Sequence, residues 1–191
     1  MAKFAIADPP YYGRAKRWYG QGGVGYGYGR GQADNHPEAH IWDTPDRHIN
    51  LIKVLENDYD GFAIATSVLG LNVYLKHISL APSSGYRLCI WHKPISAPSA
   101  SRIRNAYEPI IIKVHKDRLG YKSHARLDDI RTIKITKNGF IGSKPKEWVW
   151  WVLDLMGADK HDEIDDLFYG SGAVTTAIKE WRGLDNGQQF S

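Results

Sequence analysis

The stretch Phe4-Ala5-Ile6-Ala7-Asp8-Pro9-Pro10-Tyr11 decides how this chain is expected to fold. Its first four residues form a short apolar run, which is typical of a buried strand. Two consecutive prolines cannot continue the hydrogen-bond ladder of a sheet, so the strand must stop before them. Asp8 is therefore predicted at the carboxyl end of a strand, the edge at which α/β sheets bind ligands.

The residues after this strand combine three kinds of chemical group. Asp8 carries a carboxylate, the Pro9 carbonyl is held rigid by proline geometry, and Tyr11 offers an aromatic face. This set suits a planar exocyclic amine, which is a poor nucleophile because its lone pair is delocalised into the base ring. Two acceptors favour a pyramidal nitrogen, and the ring of Tyr11 can stack on the base. The alternative is a proline-terminated strand with a capping aspartate, and these residues alone do not separate the two.

A second informative stretch is Asp165-Asp166-Leu167-Phe168-Tyr169-Gly170-Ser171-Gly172. It is predicted to run from a strand through a glycine turn into a helix. Glycines in such a turn allow the backbone to approach a ligand closely, and the helix N-terminus then faces that ligand. The alternative is an ordinary tight turn, because an isolated Gly-x-Gly is weak evidence for a binding site.

Strands and helices alternate along the rest of the chain, which favours an α/β fold with a mostly parallel sheet. Beyond the first strand, strands are predicted at residues 62–66, 86–91, 107–114 and 163–168, with a short one at 132–136. Helices are predicted at residues 44–57, 68–78, 145–157 and 173–181. The length of 191 residues fits one domain spanning residues 1–191.

Composition and charge exclude several classes of protein. With 42% apolar and 24% charged residues, the chain is neither collagen-like, disordered nor a coiled coil. No apolar run reaches about 18 residues, so no membrane span is expected. The one cysteine, Cys89, cannot form an intramolecular disulfide, which favours a reducing cytoplasm. The net charge of +4 is modest, but ten Lys and Arg against four Asp and Glu lie in residues 102–137.

Residues 12–42 are interpreted as a mobile loop rich in glycine, aromatic residues and arginine. Residues 13–31 hold four basic and no acidic side chains. Such a mixture suits stacking on nucleic-acid bases, although a plain flexible insertion explains it equally well. Residues 115–142 are basic and irregular and are interpreted as an insertion. Trp148 and Trp151 are expected to face the core.

Taken together and in this order, the motifs resemble a known family of enzymes. Segments that agree with it are Arg104-Asn105-Ala106-Tyr107-Glu108-Pro109-Ile110-Ile111, Ser143-Lys144-Pro145, and residues 157–168 leading into the glycine turn. The chain resembles the circularly permuted DNA amino-methyltransferases that use S-adenosylmethionine, in which Asp-Pro-Pro-Tyr precedes Phe-x-Gly-x-Gly. The resemblance spans residues 3–181 and implies a Rossmann-like, mostly parallel sheet flanked by helices, permuted and truncated. The short chain suits a compact, phage-type enzyme.

The resemblance also implies two groups of site residues. The catalytic residues would be Asp8, Pro9, Pro10 and Tyr11, with Asp8 and the Pro9 carbonyl accepting hydrogen bonds from the target amino group. The residues binding S-adenosylmethionine would be Ala7, Lys144, Pro145, Asp166, Phe168, Gly170, Ser171 and Gly172. No metal is needed for this transfer, and none is expected, because Pro37 interrupts the spacing between His36 and His40.

DNA is the expected partner, either single-stranded or with its target base flipped out of the duplex. Phosphate contacts are expected from the two basic segments. The residues predicted for them are Arg14, Lys16, Arg17, Arg30, Lys116, Arg118, Lys122 and Arg126. No separate target-recognition domain is evident, so a homodimer or a partner subunit is expected. We expect no membrane association and a cytoplasmic location in a prokaryote, with a chromosomal or phage gene.

The expected activity is methylation of adenine N6 in DNA, since the family motif begins with Asp where enzymes acting on cytosine often have Ser. One departure favours another outcome. Family members usually continue past the glycine turn into a strand whose acidic residue holds the cofactor ribose, whereas residues 182–191 are short and polar, with Asp185 as the candidate replacement. A non-catalytic nucleic-acid-binding protein on a degenerate methyltransferase fold therefore stays open, as does methylation of cytosine N4 or of RNA. Trp91-His92-Lys93-Pro94 is either part of a base pocket or a plain loop after a strand.

Overall fold

The computed structural model describes residues 1–20, 38–94, 103, 105–120, 126–135 and 142–183. These residues form one six-stranded sheet with helices on both faces. The strands are β1 Lys3–Ala7, β2 Gly61–Ala65, β3 Tyr86–His92, β4 Tyr107–Lys113, β5 Ile130–Thr132 and β6 Glu163–Asp166. The helices are α1 Ala15–Tyr19, α2 Pro45–Asp58, α3 Val68–Tyr74, α4 Lys146–Met156 and α5 Ala173–Gly183. None of these helices is long and apolar enough to span a bilayer.

The order of strands across the sheet is β5-β3-β4-β2-β1-β6. Five strands run in one direction, and β4 alone among the described strands is antiparallel to both of its neighbours, β2 and β3. The prediction of an α/β fold with a mostly parallel sheet is therefore confirmed, with one reversed strand. The reversal has a consequence for the site, because it places the start of β4 beside the carboxyl ends of its two neighbours, β2 and β3.

Alternating side chains of the central strands pack against helices on opposite faces. Phe4 and Ile6 of β1 contact the layer formed by α4 and α5, whereas Ala5 and Ala7 contact the layer that contains α2. The first layer is filled by three indole rings with at most 1% of their surface exposed, those of Trp148, Trp151 and Trp181. The expectation that Trp148 and Trp151 face the core is confirmed. Helices therefore cover both faces of the sheet, and a binding site is expected at the ends of its strands.

Two differences from the sequence-based predictions concern the chain outside the central strands. Residues 12–42 do not form a loop throughout, since α1 lies near one end and a 3-10 turn, Ala39–Asp43, lies at the other. The carboxylate of Asp43 accepts hydrogen bonds from the backbone N–H groups of Ala15 (2.8 Å) and Lys16 (2.9 Å), so the turn caps α1 from a distance in sequence. Residues 21–37 lie outside the described residues.

Residues 115–142 are likewise not a plain insertion in the part that the structure describes. They contain a 3-10 turn, Lys116–Arg118, and strand β5, which pairs in parallel with β3. The strand predicted at 132–136 begins earlier, at Ile130, and the strand predicted at 163–168 ends at Asp166. Period-two patterns locate strands but do not fix where their ladder bonds stop.

An ion pair closes the amino-terminal edge of the sheet, opposite Asp8. The guanidinium of Arg118 donates to both carboxylate oxygens of Asp162, and to the carbonyl of Gly157 at 2.6 Å. Asp162 also accepts from the backbone N–H groups of Ala2 (2.9 Å) and Asp159 (2.8 Å). Burial of this carboxyl opposes its charge, but the hydrogen bonds from Arg118 and the two N–H groups outweigh burial and lower its pKa to about 2.

Replacing Asp162 by Asn is expected to lower the free energy of unfolding by about 2 kcal/mol, somewhat less than for a fully buried pair because Arg118 is partly exposed. Because folding depresses the pKa of Asp162, its contribution is present above an ordinary carboxyl pKa and is lost as pH falls toward about 2. Urea unfolding of both proteins at neutral and at acidic pH measures the difference, which is expected to shrink in acid.

The matched control is Glu180→Gln. Glu180 pairs with Lys146 at 3.6 Å, and both side chains are about half exposed. Exposed pairs contribute little, so this variant is expected to unfold within about 0.5 kcal/mol of the wild type. Equal decreases in the free energy of unfolding of the two variants would show that the buried ion pair stabilises the fold no more than the exposed one.

Candidate active site

Four charged side chains meet at the carboxyl edge of the central strands. Asp8 follows β1, Lys93 follows β3, Glu108 stands near the start of the reversed strand β4, and Lys144 lies just before α4. With Tyr11 they form the group that we call the Asp8 cluster. Three different strands and one helix thus contribute to it, and each does so at the residue where a regular element starts or ends.

The ammonium of Lys144 is the centre of the Asp8 cluster. Its Nζ atom lies 2.9 Å from Oδ1 of Asp8 and 3.1 Å from Oε1 of Glu108, and it donates to the hydroxyl of Tyr11 at 3.0 Å. The other oxygen of Glu108 accepts from Nζ of Lys93 at 3.1 Å. Two carboxylates and two ammonium groups therefore balance, and Lys144 holds both carboxylates in place.

Aromatic rings enclose the ammonium of Lys144 on its other sides. Its Nζ lies 5.4 Å from the ring centre of Tyr11, 5.6 Å from that of Trp148 and 5.9 Å from that of Trp91. These contacts favour the charged form of the lysine, since the faces of aromatic rings attract cations. The side chain of Lys144 is only 3% exposed, so its charge is matched by its neighbours and not by water.

Burial and charge act in opposite directions on the two carboxyl groups. Burial raises the pKa of Asp8, and Glu108 adds to the rise, while Lys144 opposes it. Burial pushes the pKa of Glu108 in the same direction, but the two lysines, Lys144 and Lys93, outweigh it and bring that pKa below its ordinary value. Burial together with the nearby Glu108 and Asp8 raises the pKa of Tyr11 far above its ordinary value, so its hydroxyl stays protonated.

A cavity of about 310 Å³ opens beside the Asp8 cluster. Its wall combines aromatic rings, neutral hydrogen-bonding groups and charged side chains. It is lined by Tyr11, Arg14, Trp18, Tyr19, Thr66, Ser67, Val68, Leu69, Lys93, Asn105, Tyr107, Glu108 and Gly142. Tyr11, Lys93 and Glu108 belong to the Asp8 cluster, so a molecule in the cavity touches it directly. Helix α1 supplies Trp18 and Tyr19 as one side of the wall.

The glycine turn follows β6, and β6 pairs with β1, the strand that leads to Asp8. Strands β1 and β6 pair in parallel with Ile6 opposite Asp166, and the N–H of Leu167 donates to the carbonyl of Ile6 at 3.1 Å. Asp8 and Phe168 each follow these paired residues by two positions. The two motifs, about 160 residues apart in sequence, therefore meet at one edge of the sheet, as the sequence predicted.

The turn after β6 has the backbone needed for close approach of a ligand. Gly170 and Gly172 have φ values of 46° and 74°, in the left-handed region that side chains disfavour. A Cβ atom at Gly172 would lie 2.9 Å from the hydroxyl oxygen of Tyr169. The exposed ring of Tyr169 thus packs against Gly172 close to the start of α5, and a larger residue at position 172 would collide with it.

The side chains around the turn are held by their own neighbours. The carboxylate of Asp166 accepts from Thr175 Oγ1 at 2.8 Å and from the N–H of Phe168 at 3.3 Å. The ring of Phe168 meets that of Trp42 edge to face, with centres 5.1 Å apart. His48 donates through Nε2 to the carbonyl of Trp42 (2.8 Å), which fixes Trp42 in turn. The turn is therefore preformed.

The segment before α4 connects the two halves of the site. Lys144 contacts Asp8, while Oγ of the preceding Ser143 lies 3.4 Å from Oγ of Ser171 in the glycine turn. The family resemblance implies a place for Lys144 and Pro145 at the cofactor. In the structure the ammonium of Lys144 instead belongs to the Asp8 cluster, and Pro145 is buried at the start of α4.

Some of the other predicted site residues lie at the same end of the sheet as Asp8, and others lie at the opposite end. Arg14 lines the cavity, and Lys16 and Arg17 are exposed on α1. Lys116 and Arg118 lie after β4, which carries the chain away from Asp8, and the guanidinium of Arg118 is bound to Asp162. The remaining predicted residues are more scattered: Arg126 is exposed before β5, Ala7 is fully buried in the core, and Arg30 and Lys122 lie outside the described residues.

Sequence-based prediction missed the second carboxylate and its lysine. Glu108 belongs to a segment that matches the family, but the sequence assigns it no role, and Lys93 is predicted either in a pocket or in a plain loop. The available signal is an acidic residue at the start of an otherwise apolar strand, which is costly unless a partner compensates for it. Trp18 and Tyr19 are predicted only as members of a loop, because five residues are too few for a helical pattern.

No protein-family model matches the sequence, and no curated protein matches it. The chain is similar in structure to a solved protein described as the M1.HpyAVI–SAM complex. The match has a TM-score of 0.53 and 16% identity, and covers 95% of this chain and 79% of the other. At this identity the likeness concerns the fold alone, and it shows that this chain shares the fold of that protein over nearly its whole length.

Proposed function

We propose that this protein transfers the methyl group of S-adenosylmethionine to the exocyclic amino group of adenine, at N6, in DNA. The observation that carries the proposal is the meeting of Asp8 and the glycine turn at one edge of the sheet, through the Ile6–Asp166 register. A group that binds cofactor and a group that binds an amine are needed side by side for a direct transfer, because the reacting atoms must come within about 3–3.5 Å.

The glycine turn fits the proposed cofactor. Backbone with positive φ at Gly170 and Gly172 and the N-terminus of an eleven-residue helix are suited to the carboxylate and backbone-like portion of S-adenosylmethionine. Phe168 and Trp42 would border the same end of the site. When bound, S-adenosylmethionine would supply an electrophilic methyl group on a sulfonium sulfur. The solved neighbour of this fold is itself a complex with that molecule.

The Asp8 cluster provides what the amine requires. Asp8 accepts a hydrogen bond from the amino group, which draws electron density onto its nitrogen. The transfer would break one carbon–sulfur bond of the sulfonium and form one carbon–nitrogen bond. The nitrogen would then carry a positive charge, and Asp8 would take up the proton that the nitrogen loses and pass it to water. The neutral hydroxyl of Tyr11 stays bound to Lys144, so its ring keeps a fixed orientation for stacking.

The cavity next to the cluster has the character of a base pocket. Aromatic rings line it together with the amide of Asn105 and the hydroxyls of Thr66 and Ser67, which can bind the edge of a base. A base in a duplex cannot enter such a cavity, so single-stranded DNA or a flipped base is the proposed substrate. Cationic side chains on α1 lie where the phosphates on either side of that base would pass.

Asp8→Asn is expected to reduce methyl transfer by about 100-fold or more, because the amide cannot accept the proton and offers a weaker acceptor. The measurement is transfer of labelled methyl from S-adenosylmethionine to single-stranded DNA, followed by nucleoside mass spectrometry. Glu180→Gln, which removes an exposed carboxylate that pairs with Lys146 and with no member of the Asp8 cluster, is the control and is expected to keep full activity.

The products separate the alternatives. N6-methyladenine formed by the wild type and absent with Asp8→Asn supports the proposal. N4-methylcytosine or a methylated RNA nucleoside would assign the same site to another substrate. Wild-type protein that binds DNA but neither methylates any nucleic acid nor binds S-adenosylmethionine in calorimetry would refute the proposal in favour of a non-catalytic nucleic-acid-binding protein.

Lys16→Ala and Arg17→Ala are each expected to weaken binding of single-stranded DNA and to reduce the slope of log affinity against log salt by about 0.7, the value for one phosphate that is no longer neutralised. Lys116→Ala is the matched control, since Lys116 is equally exposed but lies at the opposite edge of the sheet. Fluorescence anisotropy at several salt concentrations gives both quantities. A loss of affinity with Lys116→Ala equal to that with Lys16→Ala would contradict the proposed DNA path over α1.

A further inference from the structure

We propose that Lys144 and Glu108 are positioning residues that set the charge of Asp8, with Lys144 holding Asp8 ionised and Glu108 opposing it. The proposal rests on the proposed function, since Asp8 is the acceptor for the amine. It rests on geometry, because one ammonium group lies within 3.1 Å of both carboxylates while Lys93 holds the far oxygen of Glu108. The sequence motifs assign this role to neither Lys144 nor Glu108.

The charged and titratable groups around Asp8 come from its own segment and from the helices and strands packed against it. They are Tyr11 on its own segment, Tyr19 on α1, Lys93 after β3, Glu108 on β4 and Lys144 before α4. On the neighbouring strand β6 the carboxylate of Asp166 is bound to Thr175 and to the N–H of Phe168. Lys144 is the cation in direct contact with Asp8, and Glu108 is the second carboxylate on that cation.

The two tyrosines contribute no charge of their own near neutral pH. Burial raises the pKa of Tyr19 to about 12, and burial also raises the pKa of Tyr11 well above its ordinary value. The charge balance around Asp8 is therefore decided by the two lysines and Glu108. Lys93 is paired with Glu108, so its influence on Asp8 is largely offset.

The signs of the two effects follow from this arrangement. Removing the charge of Lys144 leaves a buried carboxyl beside another carboxylate, and burial and repulsion both favour its protonated form, so the pKa of Asp8 should rise. Removing the charge of Glu108 ends that repulsion, and Lys144 then pairs with a single carboxylate, that of Asp8. The pKa of Asp8 should therefore fall. A loss of packing or of stability has no reason to shift the pKa in opposite directions.

The experiment compares the wild type with Lys144→Met, Lys144→Arg and Glu108→Gln in two measurements. The first is the pH dependence of kcat/KM for methyl transfer, whose acid limb reports the pKa of the free enzyme. The second is a carbon NMR titration of the Asp8 carboxyl in the protein alone, with the signal identified by its absence from Asp8→Asn. Circular dichroism and the unfolding midpoint confirm that each variant is folded over the pH range used.

Lys144→Met is expected to move the acid limb and the NMR titration upward by about one pH unit, as for an opposite charge removed at this distance. Glu108→Gln is expected to move both downward, and Lys144→Arg, which keeps the charge, to return them toward the wild type. Shifts in the same direction for Lys144→Met and Glu108→Gln, or no shift in either, would overturn the proposal. If Lys144→Met does not fold, the test rests on Glu108→Gln: a downward shift of the acid limb and of the NMR titration supports the proposal, and its absence overturns it.

The two proposals can fail separately. Absence of methyl transfer by the wild type would refute the proposed function, whereas the NMR titrations would still show whether Lys144 and Glu108 set the charge of Asp8. Methyl transfer with an acid limb that neither substitution moves would leave the function standing and refute the role of the two residues. A fall in kcat without a shift in the pH profile would likewise count against that role.

Discussion

The parallel pairing of β1 with β6 is the constraint on which the site depends. It joins a strand at the start of the chain to one near its end, and its register puts Ile6 opposite Asp166. Both strands then stop within two residues of each other, the first at a proline pair and the second at a glycine turn. A shift of two residues along either strand would separate Asp8 from the turn by about 7 Å, since each residue of a strand rises about 3.3 Å.

The reversed strand β4 adds the second requirement. Had β4 run parallel to its neighbours, Glu108 would lie at the opposite edge of the sheet. Because it is antiparallel, its first residues reach the edge at which Asp8 and Lys93 lie. The buried lysine of the site therefore meets carboxylates from two strands that run in opposite directions.

Much of this can be predicted from sequence, and the residues show why. The run of residues 4–7 and the prolines after it fix a strand end by backbone chemistry alone, and the glycines at 170 and 172 fix a turn in the same way. Local chemistry in those two motifs is therefore enough to mark the correct edge of the sheet. The helices α2, α4 and α5 are predicted to within a few residues because each has an apolar face or a clear start signal.

What cannot be predicted depends on contacts between distant residues. The family resemblance implies a place for Lys144 at the cofactor, but nothing in the sequence indicates that its ammonium lies 2.9 Å from the carboxylate of Asp8. Arg118 belongs to a basic segment, yet its neighbour is Asp162 at the other edge. Charge counts along a chain cannot show which charges are already paired, and pairing decides whether an arginine is available to phosphate.

The 3-10 turn Ala39–Asp43 makes the two halves of the site mechanically continuous. Trp42 rests on Phe168 at the glycine turn, and the next residue, Asp43, holds the first backbone N–H groups of α1. Two consecutive residues thus connect the glycine turn to the helix that lines the cavity. The position of Phe168 and that of α1, which carries Trp18 and Tyr19, therefore depend on the same short turn.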